Sequence, residues 1–149
     1  MAKHEFFEDY VVGETIEVGG LSVDAAELRA FAEAYDPQPI HLDPAAAAAS
    51  PYGGIIASGW QTAGLTMRMV LEVVDSKQSL GSPGIGRLSW RLPVRAGDVL
   101  HVRIIVRTKR RSQSKPDRGL VTLDVDTLNQ KNEVVMRAEE WIAIIRTRA

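Results

Sequence analysis

A carboxylate and an imidazole stand five positions apart in Tyr35-Asp36-Pro37-Gln38-Pro39-Ile40-His41-Leu42-Asp43, with two prolines between them. These are the groups that general acid–base chemistry uses most: one accepts a proton, the other holds or releases one near neutral pH. Proline locks φ and pushes the residue before it to extended geometry. The segment is therefore predicted as a stiff, irregular, non-helical turn carrying Asp36, Gln38 and His41. On the residues alone two readings stay open. Asp36 either ends the preceding helix as a cap or Asx-type turn, or it does chemistry; His41 is either a satisfied core or loop histidine, or its partner. Asp43, directly before Pro44, reads as the N-cap of a short helix and stays outside the catalytic set.

A second segment, Gly53-Gly54-Ile55-Ile56-Ala57-Ser58-Gly59-Trp60, runs from small and β-branched residues into an amphipathic stretch. A helix beginning there offers free N–H groups at its positive end, where a developing negative charge is stabilised. Gly53-Gly54 is no phosphate loop, because the Gly-Lys-Ser/Thr signature is missing. The remaining candidates are weaker. Asp124 and Asp126 share one strand face but lack further ligand residues nearby, so no metal is expected. His4 and His101 are expected to be solvated. Lys109-Arg110-Arg111-Ser112-Gln113-Ser114-Lys115 is either a solvated hairpin loop or a grip for phosphates.

These residues must be positioned by one domain covering 1–149. The chain has 149 residues, 45% hydrophobic and 25% charged, and a formal charge of -1. That suffices for a single core and gives no bulk attraction to nucleic acid or anionic membrane. Cysteine is absent, which removes thiol nucleophiles, disulfides and Cys-ligated zinc. No run reaches the length of a membrane span, and a cytoplasmic location is the expectation. A short strand is predicted over 15–21, followed by a helix capped by Asp24, with Leu28, Phe31, Ala32 and Tyr35 on its core face. Pro44 and the alanines at 45–49 read as a second helix. A third, over about 58–74, is so broadly apolar that burial on most sides is expected. The period then changes from 3.6 to 2, with strands predicted over 87–94, 99–108, 119–128 and 134–147. Strand, helices and strand meander make an α+β arrangement, an antiparallel sheet wrapping one buried helix.

The Asp36 to Asp43 stretch, the Ala57-Ser58-Gly59 step and the hairpin Arg91-Leu92-Pro93-Val94-Arg95-Ala96-Gly97-Asp98 resemble the MaoC-like family, the (R)-specific enoyl-CoA hydratases and related dehydratases with a hotdog fold. Asp36, Pro39, Ile40, His41 and Asp43 match the first family motif, and Ala57 and Gly59 match the second. Gln38 stands where the family usually has Asn, and Ser58 where it usually has His. The resemblance implies a hydro-lyase acting on an acyl-CoA thioester. Asp36 and His41 would be the proton-transfer pair and the Gly59 N–H the oxyanion donor, with Ser58 and Gln38 touching substrate. It also implies coenzyme A only as substrate carrier, no other cofactor, and at least a homodimer. A hotdog thioesterase and a non-catalytic acyl-CoA-binding subunit are the competing readings.

Overall fold

The computed structural model describes residues 3–149. Strand β1 (Thr15–Ser22) leads into α1 (Ala25–Tyr35), α2 (Pro39–Leu42), α3 (Pro44–Ala49) and α4 (Gly59–Val70). Strand β2 (Gly84–Trp90) follows, then the meander β3 (Val99–Arg111), β4 (Arg118–Leu128) and β5 (Val134–Arg146). All five strands form one antiparallel sheet in the order β1-β3-β4-β5-β2. With α4 packed against its face, this is the α+β hotdog arrangement.

The period-2 pattern does what it predicts. Leu100, Val102, Ile104 and Val106 of β3 and Val121, Leu123 and Val125 of β4 are buried on one face, where they meet Met69, Val70 and Val73. Opposite, Arg107 pairs with Asp124 and Arg137 with Asp126, so the two acids on β4 serve cross-strand ion pairs.

Local details differ from expectation for identifiable reasons. The Asp36 turn is not free of helix: Pro39 begins the single turn α2, because a proline at the first helical position loses no hydrogen bond the helix would have made. The third predicted helix is shorter, Gly59–Val70, and only one side is covered. Trp60 and Met67 are exposed, while the polar Gln61, Thr62 and Thr66 are buried. Apolar content all round the helix therefore did not mean burial all round. Tyr35 also turns outward, 75% exposed against Phe31, leaving Leu28 and Ala32 as the buried contacts of α1. Strand β2 starts earlier than expected and stops at Trp90, ahead of Pro93, which has no N–H to give a ladder. His4 is not a solvated tail residue; it packs on Tyr10 and bonds Glu14 at 2.8 Å.

Candidate active site

The ends of three helices build the site. Asp24 caps α1 by accepting from Glu27 N–H, and α1 ends at Asp36, whose own N–H still bonds the Ala32 carbonyl. Asp36 is thus both the helix C-cap and the first residue of the turn, so its two sequence readings coexist. Gln38 enters α2, which carries His41 into the interior, and Asp43 accepts from the N–H groups of Ala45 and Ala46 to start α3. The loop after α3 returns beside this turn, held by Ile56 N–H to the Ile40 carbonyl and Ala57 N–H to the Val94 carbonyl.

His41 is 4% exposed at its side chain, and its two nitrogens face different partners. Nδ1 lies 2.7 Å from the Ile56 carbonyl oxygen, which can only accept, so Nδ1 carries a hydrogen. Nε2 is left facing Asp36 Oδ2 at 3.1 Å. That contact requires a proton between ring and carboxylate, so the two side chains share one. Asp36 is gripped from two further directions. Gln38 Nε2 donates to Oδ1 at 2.6 Å, and the Ser58 hydroxyl donates to Oδ2 at 2.7 Å. Those two bonds, first Gln38 and then Ser58, with the nearby His41 ring, hold the Asp36 carboxyl below its ordinary value despite partial desolvation.

Ser58 is 0% exposed and spends its oxygen on the protein. Besides donating to Asp36 it caps α4, accepting from Trp60 N–H at 3.3 Å, while its carbonyl takes the N–H groups of Gln61 and Thr62. The expected substrate contact from this side chain is replaced by an indirect role: Ser58 positions the carboxylate. Gln38 keeps its place on the cavity wall and also holds Asp36.

The N–H of Gly59, first residue of α4, has no acceptor among the described residues. Gly59, Asp36 and His41 all line one cavity of about 370 Å³, together with Tyr52, Trp60 and Trp90. Glycine is required at this position by a neighbouring ring. A Cβ would fall 2.5 Å from Trp90 Cε2, so the missing side chain makes room for an indole, not for a ligand. Trp90 in turn donates Nε1–H to the Gly59 carbonyl at 2.8 Å. Gly59→Ala must therefore expel the indole; a loss of about 1–3 kcal/mol in chemical denaturation, with a shifted tryptophan emission, is expected. An unchanged midpoint would show that the indole yields freely.

Ser58→Ala has two separable consequences. Loss of the cap should lower stability by about 1 kcal/mol at any pH. Loss of the hydroxyl bond should also let the Asp36 carboxyl rise toward its ordinary value. A depressed carboxyl stabilises the fold above its unfolded pKa, and that contribution vanishes as pH falls through the folded value. The difference in melting temperature between wild type and Ser58→Ala should therefore be larger at pH 7 than at pH 3; equal differences would mean that the serine acts only as a cap.

The other sequence candidates lie elsewhere. Lys109 and Arg111 belong to the end of β3 remote from the cavity, stacked over Phe7, with Arg111 paired to Glu8. The alanines of α3 do not line the cavity, whereas Tyr52 and Trp60 do. Sequence reasoning missed the Ile56 carbonyl, which sets the histidine tautomer and has no side-chain signature. It also missed Trp90, whose signal was available: a tryptophan closing a strand just before Arg91 to Asp98. That segment, expected to be a hairpin, is instead a crossover, because β2 pairs with β5 while β3 pairs with β1 and β4.

Residues 9–129 match the family model described as MaoC like domain. A 3-hydroxybutyryl-CoA dehydratase of Methylorubrum extorquens is 33% identical over 144 residues, covering 93% of this chain and 83% of that protein. The crystal structure of the MaoC-like dehydratase from Rhodospirillum rubrum superposes with a TM-score of 0.87 at 42% identity, covering 97% of this chain and 99% of that one. R-hydratase PhaJ1 from Pseudomonas aeruginosa superposes with a TM-score of 0.71 at 25% identity, over 97% and 86%.

Proposed function

The chain belongs to the MaoC-like domain family, and from that premise we propose that it is a hydro-lyase adding water across, or removing it from, the α,β double bond of an acyl-CoA thioester. One observation carries the reading: Asp36 and His41 meet at 3.1 Å in a cavity that is also lined by Gly59, whose amide has no acceptor among the described residues.

Hydration needs a base for water, a proton for the α-carbon and a donor for the enolate-like oxygen. In this reading the thioester oxygen sits on the Gly59 N–H, at the positive end of α4. Water is held by the Asp36–His41 pair. Its oxygen bonds to the β-carbon while one of its protons passes to the pair, and the double-bond electrons move toward the carbonyl oxygen. The pair then returns one proton to the α-carbon, so acid and base end as they began. Gln38 and Ser58 keep Asp36 ionised and oriented, and the Ile56 carbonyl keeps Nε2 as the working nitrogen of His41.

The test is turnover of crotonyl-CoA, followed at once by loss of the enoyl absorbance and by free thiol. Loss of absorbance without thiol supports hydration. Thiol release without prior hydration would favour the thioesterase reading, and tight binding with no turnover of any enoyl ester would favour a binding subunit.

The assembly we infer is a homodimer, in the cytoplasm. Strand β2 is a sheet edge, exposed along most of its length and carrying Ile85 and Trp90 at the surface. An unprotected edge of that kind is a template for another strand. Light scattering after gel filtration should give twice the 16.4 kDa chain mass; a monomer at micromolar concentration would contradict this.

A further inference from the structure

The His41 ring keeps its hydrogen on Nδ1 only while the Ile56 carbonyl stands beside it. Little packing holds that carbonyl in place. Behind the ring lies a cavity of about 350 Å³, lined by His41, Leu42, Ile55 and Arg95 among others. The loop that leads to the carbonyl is loose by composition: Gly53 sits at φ +68° and a second glycine follows it. Hydrogen bonds must therefore fix what packing does not.

Arg95 supplies them. Its fork donates through Nη1 to the Ile55 carbonyl at 3.4 Å and through Nη2 to the Tyr52 carbonyl. Gly53 N–H is tied to the Ser50 carbonyl and Ile56 N–H to the Ile40 carbonyl; between those two ties, no other hydrogen bond reaches the main chain among the described residues. Gly54 lets the guanidinium come this close, since a Cβ there would stand 3.2 Å from Nη1. Arg95 is itself held from below. Its N–H donates to Asp98 Oδ2 at 2.9 Å, Gln130 Nε2 donates to Asp98 Oδ1 at 3.0 Å, and the preceding Val94 carbonyl accepts from Ala57 N–H. A charged donor makes a stronger bond than a neutral one, and a planar fork can hold two acceptors in a fixed geometry.

We propose that Arg95 is a positioning residue for His41: it clamps the strip from Tyr52 to Ile55, and through it the Ile56 carbonyl that keeps the hydrogen on Nδ1 and leaves Nε2 to exchange protons. The proposal rests on the hydro-lyase reading for what Nε2 does. Tyr52, at the other end of the strip, lines the catalytic cavity, so the same clamp sets one wall of the site. Without the fork the strip can shift into the space behind the ring and the carbonyl leaves Nδ1. The hydrogen is then free to move to Nε2, where it faces Asp36 and blocks proton uptake.

Turnover and the ring hydrogen together test the assignment. With crotonyl-CoA, Arg95→Ala should lower kcat about tenfold or more, the scale of a small misplacement of a reacting group, with KM within about threefold. Arg95→Lys, whose ammonium is a single point of charge and not a fork, should recover part of that loss. In nitrogen NMR of the imidazoles, the wild type should show a slowly exchanging Nδ1–H for His41, picked out among the chain's 3 histidines by its absence in His41→Gln. Arg95→Ala should lose that signal. Should Arg95→Ala fail to fold, Gly54→Ala, which crowds Nη1, should give both changes in smaller measure. A kcat within about twofold of wild type would overturn the proposal, as would a raised KM with kcat kept, the mark of a substrate contact. An Nδ1–H that survives in a slowed Arg95→Ala would overturn it too. These failures leave the hydro-lyase reading intact wherever the wild type hydrates crotonyl-CoA. Loss of the Nδ1–H on Arg95→Ala in a protein that turns over no ester would remove the hydro-lyase reading and support the clamp.

Discussion

Asp36→Asn should lower kcat for crotonyl-CoA by a hundredfold or more while KM stays within a few fold. The substitution keeps shape and removes the ability to take a proton, and one positioned acid–base group is worth about 10²–10⁴ in rate. The fold should tolerate it. With the ring hydrogen on Nδ1, His41 Nε2 accepts, so the new amide nitrogen at the Oδ2 position can donate to it and to the Ser58 oxygen. The amide oxygen then takes the Oδ1 position and keeps the bond from Gln38 Nε2, 2.6 Å away in the wild type. A melting temperature close to wild type with the expected loss of rate would place the defect in proton transfer. Near-normal turnover would remove Asp36 from the chemistry and leave it as the cap of α1.

How far the site is legible from sequence depends on what each residue says locally. The two prolines announce a rigid turn, and the spacing of Asp36 and His41 is plain on the page. The alternation along β3 and β4 sets their buried faces, because a one-residue slip would turn every valine outward. Asp24 and Asp43 are readable as caps because a short acid before a helix has one obvious use. What escapes is whatever depends on a distant partner. Ser58 looks like a pocket residue until Asp36, 22 positions earlier, is folded against it. Gly59 looks like an opening for ligand until Trp90, 31 positions later, takes the space. The Ile56 carbonyl fixes which nitrogen of His41 works, and a carbonyl leaves no trace in residue type. Hydropathy misjudged α4 for a related reason: amount of apolar surface does not tell which side of a helix meets the sheet.

His41→Ala should be the more damaging change, because it removes a catalytic ring and a wall together. The expected loss in kcat is again a hundredfold or more, but here it comes with a loss of stability. The ring is buried, and its deletion leaves the Ile56 carbonyl without the donor that now sits 2.7 Å away. An orphaned buried acceptor costs about 1–3 kcal/mol, before any cavity penalty is added. His41 also lines a second cavity, of about 350 Å³, on the side facing Leu28, Leu42 and Ile55. Its ring is shared by both cavities, so truncation should join them and admit water. Unfolding in urea should show a lower midpoint for His41→Ala than for Asp36→Asn, whose hydrogen bonds survive. His41→Gln provides the control, since its amide can still donate within the turn: recovery of most of the stability with no recovery of rate would separate the two jobs of the ring. A rate that recovers together with the midpoint would mean that the imidazole only supports the fold, and proton transfer would then have to rest on Asp36 alone.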